Sequence, residues 1–188
     1  MLTSRLAAAL ALAVTAHDGQ VRKGTHIPYV SHPMAVASLA LEMGADEDQA
    51  IAALLHDVLE DGGAHYAAQI QAQFGSRVLS IVQGCTDGVP DAHGLKPDWW
   101  QRKRAYLAHL AQTSDDVLLV SGADKLHNAR AINADLAALG PVLFERFTSG
   151  RDGTLWYYQS LAEVFAQRCA PVASRLSAEV SLMLRVAG

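Results

Sequence analysis

The stretch Asp46-Glu47-Asp48-Gln49-Ala50-Ile51-Ala52-Ala53-Leu54-Leu55-His56-Asp57-Val58-Leu59-Glu60-Asp61-Gly62-Gly63 decides the fold. Asp46 followed by Gln49 has the form of a capping box, so a helix begins here. Ile51, Leu54, Leu55, Val58 and Leu59 recur at three- and four-residue spacing, the apolar stripe of a helix set against a core. The helix is expected to run through Asp61 and to end at Gly62-Gly63. His56 and Glu60, and Asp57 and Asp61, are four residues apart, so all four side chains leave roughly one side of it.

Outward from this segment, almost everything reads as helix. Residues 2–16 carry Leu2, Leu6, Leu10, Ala13 and His17 on one face. A short apolar run with a signal-peptidase-like Val14-Thr15-Ala16 is the rival reading, and the retained amphipathic helix is preferred. A loop over residues 19–29 leads to Ser31-His32-Pro33, a helix start with proline in its first turn. That helix stops at Gly44. Residues 66–74 and 76–85 are two helices around Gly75, and residues 86–97 are a loop. Residues 98–111 form a helix with the basic run Arg102-Lys103-Arg104. Residues 115–139 form a long helix, bent near Gly122, stopped by Gly140-Pro141. Residues 142–148 are a short element, and residues 152–186 hold one or two terminal helices. The only strand-like run is residues 117–120. The expectation is a single all-α domain over residues 1–188, a helical bundle with a metal site between helices.

Composition limits the partners. Of 188 residues, 51% are apolar and 18% charged, and the formal net charge is −4. Such a chain folds around a sizeable core, and no nucleic-acid or membrane partner is expected. Cys85 and Cys169 are far apart and in no CxxC arrangement. They read as reduced thiols of a cytoplasmic protein.

Three carboxylates beside one imidazole repel one another near an apolar face, and a divalent cation would neutralise them. The rival is a solvated acidic face at a helix end, a place the helix dipole disfavours for acids. Further ligands must come from other helices. His32 and Asp124, the latter in Gly122-Ala123-Asp124-Lys125-Leu126-His127-Asn128, are the candidates. Imidazole with carboxylates and no thiolate suits Mn²⁺ first, then Fe²⁺ or Zn²⁺.

The order His32, His56-Asp57, Asp124 resembles the HD superfamily of metal-dependent phosphohydrolases. Four longer blocks are more specific: residues 16–25, AHDGQVRKGT; residues 28–33, PYVSHP; residues 52–61, AALLHDVLED; and residues 123–128, ADKLHN. Together they resemble the hydrolase domain of RelA/SpoT-type proteins, and the chain resembles a stand-alone small alarmone hydrolase of the stringent response. The resemblance implies removal of the 3′-pyrophosphate of (p)ppGpp or (p)ppApp with Mn²⁺. It implies His32, His56, Asp57 and Asp124 as metal ligands and Glu60 and Asp61 as the catalytic acid/base pair. Arg22 would lie against the base. Lys23 and Lys103 (with Arg102 and Arg104 beside it) would hold phosphates, and Tyr29, Asn128 and Tyr157 would line the nucleoside pocket. The rival for the basic run is a solvated helix face.

Two positions depart from the family pattern. Gly62 stands where threonine is frequent and Gly122 where leucine is frequent, and both are expected to bear on pocket shape and base choice. The alternatives are another HD-class nucleotide phosphohydrolase, such as an NADPH 2′-phosphatase or a nucleotidase, and a catalytically silent nucleotide binder. The partner is a small-molecule nucleotide, and the expected state is a monomer or small homo-oligomer.

Overall fold

The computed structural model describes residues 1–87 and 97–188. Among them the helices are α1 (Ser4–Ala16), α2 (Ser31–Glu42), α3 (Glu47–Leu55), α4 (Tyr66–Phe74), α5 (Ser76–Cys85), α6 (Trp99–Leu110), α7 (Asp115–Leu139), α8 (Gly150–Gln167) and α9 (Ala173–Val186). A π-helical turn, Val58–Gly62, follows α3, and a 3-10 turn, Gly140–Arg146, follows α7. The only extended pairing among the described residues is an isolated antiparallel bridge between Val21 and Pro28. The fold is all-helical, as expected. No described helix is long and apolar enough to cross a membrane. Most of the loop expected over residues 86–97 lies outside the described residues.

Helix α3 is the centre of the molecule. Its capping box is present: Asp46 accepts from the Gln49 N–H, and Gln49 accepts from the Asp46 N–H. Ala50, Ile51, Ala52, Ala53 and Leu55 have no solvent exposure. A helix apolar all round must be enclosed, and α1, α2, α5 and α7 pack against it. Each fully buried Ile or Leu side chain contributes on the order of 1.5–3 kcal/mol of transfer free energy. Helix α7 is the second axis. Ser114 caps it, Asp115 and Asp116 fill its first turn, and it packs against α2, α3, α5 and α9. Helices α2, α3 and α7 therefore converge, and the expected ligand positions lie on α2, on α7 and directly after the end of α3.

Four expectations change. First, α3 ends at Leu55 instead of running to Asp61. The His56 ring places Nδ1 2.8 Å from the Ala53 carbonyl, the acceptor that a continuing helix would use for the Asp57 N–H. The chain turns there and enters the π turn that holds Glu60 and Asp61. Second, residues 117–120 lie inside α7. Valine and leucine in a fully buried run read alike as strand or helix, and burial among helices decides it. Third, the face of α1 set against the core is wider than expected: Ala9 and Leu12 are buried with Ala13, Leu6 and Leu10 pack partly buried beside them, and Leu2 lies before the helix, 46% exposed. Small alanines let α1 approach α3 more closely than a leucine stripe would. Fourth, Gly122 does not shape a cavity. A Cβ there would lie 2.6 Å from Val172 Cγ1 and 3.5 Å from Phe165, so Gly122 serves the close approach of α7 to the start of α9. A Cβ at Gly62 would meet the Tyr66 ring at 2.9 Å, away from the residues lining the ligand cavity. The segment 152–186 resolves into two helices, α8 and α9.

Candidate metal centre and adjoining cavity

Three elements deliver four expected ligands to one point. Helix α2 presents His32 from its first turn, the turn after α3 presents His56 and Asp57, and the middle of α7 presents Asp124. His32, His56 and Asp124 are buried, and one ligand atom from each lies within 4.8 Å of the others. His32 Nε2 is 3.2 Å from Asp124 Oδ1 and 3.5 Å from Asp57 Oδ2. His56 Nε2 is 2.9 Å from Asp57 Oδ2 and 3.7 Å from Asp124 Oδ1. Despite the 2.9 Å approach, His56 Nε2 is not aligned for a hydrogen bond, and it is buried without one. A buried imidazole nitrogen left unpaired beside two carboxylates is what a shared cation would satisfy. Two imidazole nitrogens with two carboxylates are a donor set for a first-row divalent ion. The residues present therefore fit a divalent metal.

The surroundings hold the carboxylates ionised and orient all four groups. Burial opposes a charge on His56, but the Asp57 and Asp124 carboxylates outweigh it and keep its pKa well above the usual imidazole range. Burial also opposes ionisation of Asp57, yet His56 and His32 hold its carboxyl well below the usual range. For Asp124 the Lys125 ammonium and the two imidazoles do the same against burial. Each expected ligand has a supporting partner. Tyr29 donates its hydroxyl to Asp57 Oδ2 at 2.7 Å. Asn128 Nδ2 donates to Asp124 Oδ1 at 2.6 Å, and Lys125 Nζ donates to Asp124 Oδ2. His32 Nδ1 meets His127 Nδ1 at 2.8 Å.

Beside the cluster lies a polar cavity of about 170 Å³, whose walls include Glu60, Asp61, Asp87, Lys103 and Asn128 with His32, Asp57 and Asp124. Lys103 also lines an adjoining aromatic cavity of about 200 Å³, formed with Lys23, Trp99, Phe147, Tyr157 and Tyr158. Burial and the neighbouring Lys125 lower the pKa of Lys103, which sits 4.8 Å over the Tyr157 ring. Tyr157 has its hydroxyl buried without a hydrogen-bond partner. A larger cavity, about 420 Å³ between α5 and α6, contains none of the four ligands.

The expected site residues thus fall into two groups. Tyr29, Lys103, Asn128, Glu60 and Asp61 surround the polar cavity, and Lys23 and Tyr157 line the aromatic one. Arg22 donates to Asn128 Oδ1 at 2.8 Å, with its guanidinium 5.8 Å from the Tyr29 ring. It reaches the cluster through Asn128. The basic run separates by face: Arg102 and Lys103 both bind Asp87, whereas Arg104 lies 5.9 Å from the Trp100 ring. Sequence reasoning missed Asp87, Lys125 and His127. The last was legible in principle, because positions three and four beyond Asp124 share its face of α7.

Comparison with known proteins agrees with this geometry. The family pattern described as HD domain matches residues 9–155. A guanosine-3′,5′-bis(diphosphate) 3′-pyrophosphohydrolase of Haemophilus influenzae is 37% identical over 129 residues, 65% of this chain and 18% of its own length. The bifunctional (p)ppGpp synthase/hydrolase SpoT of Escherichia coli K12 is 36% identical over 69% of this chain and 18% of its own length. A Danio rerio relative, guanosine-3′,5′-bis(diphosphate) 3′-pyrophosphohydrolase MESH1, is 36% identical over 56% of each chain. This chain therefore spans under a fifth of the two bacterial relatives and just over half of the fish one. A solved structure, described as a metazoan ortholog of SpoT that hydrolyses ppGpp, superposes with a TM-score of 0.75 at 27% identity, covering 100% of this chain and 98% of its own. With its ligand blocks, its helical frame and a pattern match over most of its length in agreement, the chain belongs to the HD-domain family and is similar to the RelA/SpoT-type hydrolases within it.

Proposed function

We propose that this chain, as a single catalytic domain, hydrolyses the 3′-pyrophosphate of a nucleotide alarmone, (p)ppGpp or (p)ppApp, using Mn²⁺. The observation that carries the reading is one continuous arrangement. Buried His32, His56 and Asp124, with half-buried Asp57 against them, adjoin a polar cavity bordered by Glu60 and Asp61, and Lys103 joins that cavity to an aromatic one. His32, His56, Asp57 and Asp124 would hold the ion, which when bound lowers the pKa of water and polarises a phosphoryl oxygen.

The chain's own groups account for the rest. Glu60 and Asp61 flank the cavity on the π turn. One accepts the proton of the attacking water, and the pair returns a proton to the leaving ribose oxygen. Water attacks the phosphorus bonded to the 3′ oxygen, that P–O bond breaks, and the products are pyrophosphate and the 5′-nucleotide. Lys103 and Lys23 meet the phosphate charge, and Tyr157 offers its hydroxyl to the nucleoside. The Arg22 guanidinium, planar and fixed by Asn128, offers a face for the base. A small-molecule substrate in a cytoplasmic monomer or small oligomer fits this reading.

The test is incubation of Mn²⁺-loaded protein with ppGpp, ppApp and NADPH in parallel. Release of pyrophosphate from ppGpp or ppApp is expected. Both alarmones intact, with inorganic phosphate released from NADPH, would replace the reading with a nucleotide phosphatase.

A further inference from the structure

His32 is the one proposed imidazole ligand whose second nitrogen meets another side chain. His56 turns Nδ1 to the Ala53 carbonyl at 2.8 Å, which can only accept, so its proton is on Nδ1 and its Nε2 lone pair is fixed. His32 has no such carbonyl. Its Nδ1 lies 2.8 Å from His127 Nδ1, the rings tilted by 43° with centroids 4.8 Å apart. Two nitrogens at that distance share one proton, so one donates and the other accepts. His32 Nε2 faces Asp124 Oδ1 and Asp57 Oδ2 at 3.2 and 3.5 Å, on the side of the ring where an ion would sit. His127 is on the other side of the ring, and it is outside the group whose ligand atoms converge.

We infer that His127 is a positioning residue for the metal centre: its Nδ1 accepts the Nδ1 proton of His32, so that the His32 Nε2 lone pair is directed to the ion. The inference rests on the metal reading above. A ligand imidazole needs its free nitrogen on the metal side, which places the proton on Nδ1, and His127 then accepts with its own proton on Nε2. The partner of a ligating imidazole is commonly a carboxylate or carbonyl. A neutral imidazole orients the ring equally well without adding negative charge to a site that already contains Asp57 and Asp124. Helix α7 supplies the device cheaply. Asp124, His127 and Asn128 lie on one face, so one helix provides a ligand, the acceptor for a second ligand and the amide that donates to the first.

The experiment titrates Mn²⁺ calorimetrically into metal-free wild type, His127→Leu and His127→Asn, with thermal melts of each to establish folding. Leucine keeps the bulk and removes the acceptor, and asparagine keeps an oxygen near the Nδ1 position. His127→Leu is expected to weaken Mn²⁺ binding by roughly 10–100-fold, and His127→Asn to recover most of it. Equal affinity of His127→Leu and wild type, or equal losses in both variants, would overturn the inference and leave the metal reading standing. No Mn²⁺ binding by wild type would instead overturn the metal reading itself. Nitrogen-15 spectra of zinc-loaded wild type give an answer independent of how the variants fold. A proton on His32 Nδ1 supports the assignment, and a proton on Nε2 refutes it.

Discussion

Glu60 and Asp61 are adjacent in sequence but occupy different environments. Glu60 is half-buried and Asp61 exposed, yet both border the polar cavity. Neither is among the four proposed ligands, so removing either charge should spare the ion. Glu60→Gln or Asp61→Asn is expected to lower kcat by about 10²–10⁴-fold, the range for losing a proton-transfer group. Nucleotide binding, followed by calorimetry with the unhydrolysed substrate, should persist. Wild-type turnover in either variant would remove that residue from the chemistry. The four candidate ligand positions were legible in the sequence through the order His32, His56-Asp57, Asp124 and its resemblance to the HD superfamily. Lys125 and Asp87 were not, because a lysine next to an aspartate in sequence gives no sign that its ammonium turns back onto that carboxylate.

At the scale of elements, the π turn and α7 matter most. The wider turn at Val58–Gly62 separates Glu60 and Asp61 from the strict helical face shared by the residues before them, and π turns are frequent at functional sites. Helix α7 uses opposite faces for opposite tasks. Asp124 faces the cavity, and Gly122, two residues and about 200° earlier, faces Val172 and Phe165. Gly122→Leu is therefore expected to act through overpacking, destabilising by about 1–3 kcal/mol in chemical denaturation. Val172→Ala should return part of that loss in the double variant, since the two sites share one contact. A Gly122→Leu protein as stable as wild type would show that the α7–α9 seam is looser than its geometry implies.

Across the whole molecule, a single arginine ties three helices together at one end. Arg77 of α5 binds Asp116 of α7 through Nε and Nη2, both at 3.0 Å, and the α3 cap Asp46 through Nη1 at 2.7 Å. The Arg77 side chain is 45% exposed, so solvent screening keeps its worth small. Arg77→Ala should cost about 1 kcal/mol near neutral pH, less in high salt. The Asp46 carboxyl is held below its usual pKa: slight burial opposes this, and the Gln49 N–H and Arg77 more than offset it. A depressed folded pKa gives stability that is present above the unfolded value, about 3.9, and lost as pH falls through the folded one. The stability gap between wild type and Arg77→Ala should thus close on acidification below about pH 4. A gap unchanged in acid would mean that Arg77 acts by packing its stem.

Helix periodicity, the Asp46–Gln49 capping box and the glycine stops are local properties, written in residues a few positions apart, so the sequence alone determined an all-helical chain and nearly every helix in it. It also named four candidate ligands, through the order His32, His56-Asp57, Asp124 and its resemblance to the HD superfamily. Other features depend on distances between segments far apart in the chain. Where α3 ends, how wide a face of α1 is buried, that Gly122 serves a helix seam, and that His127 meets His32 across 95 positions are all of this kind. Packing of one helix against another sets those distances, and only the tertiary structure decided them.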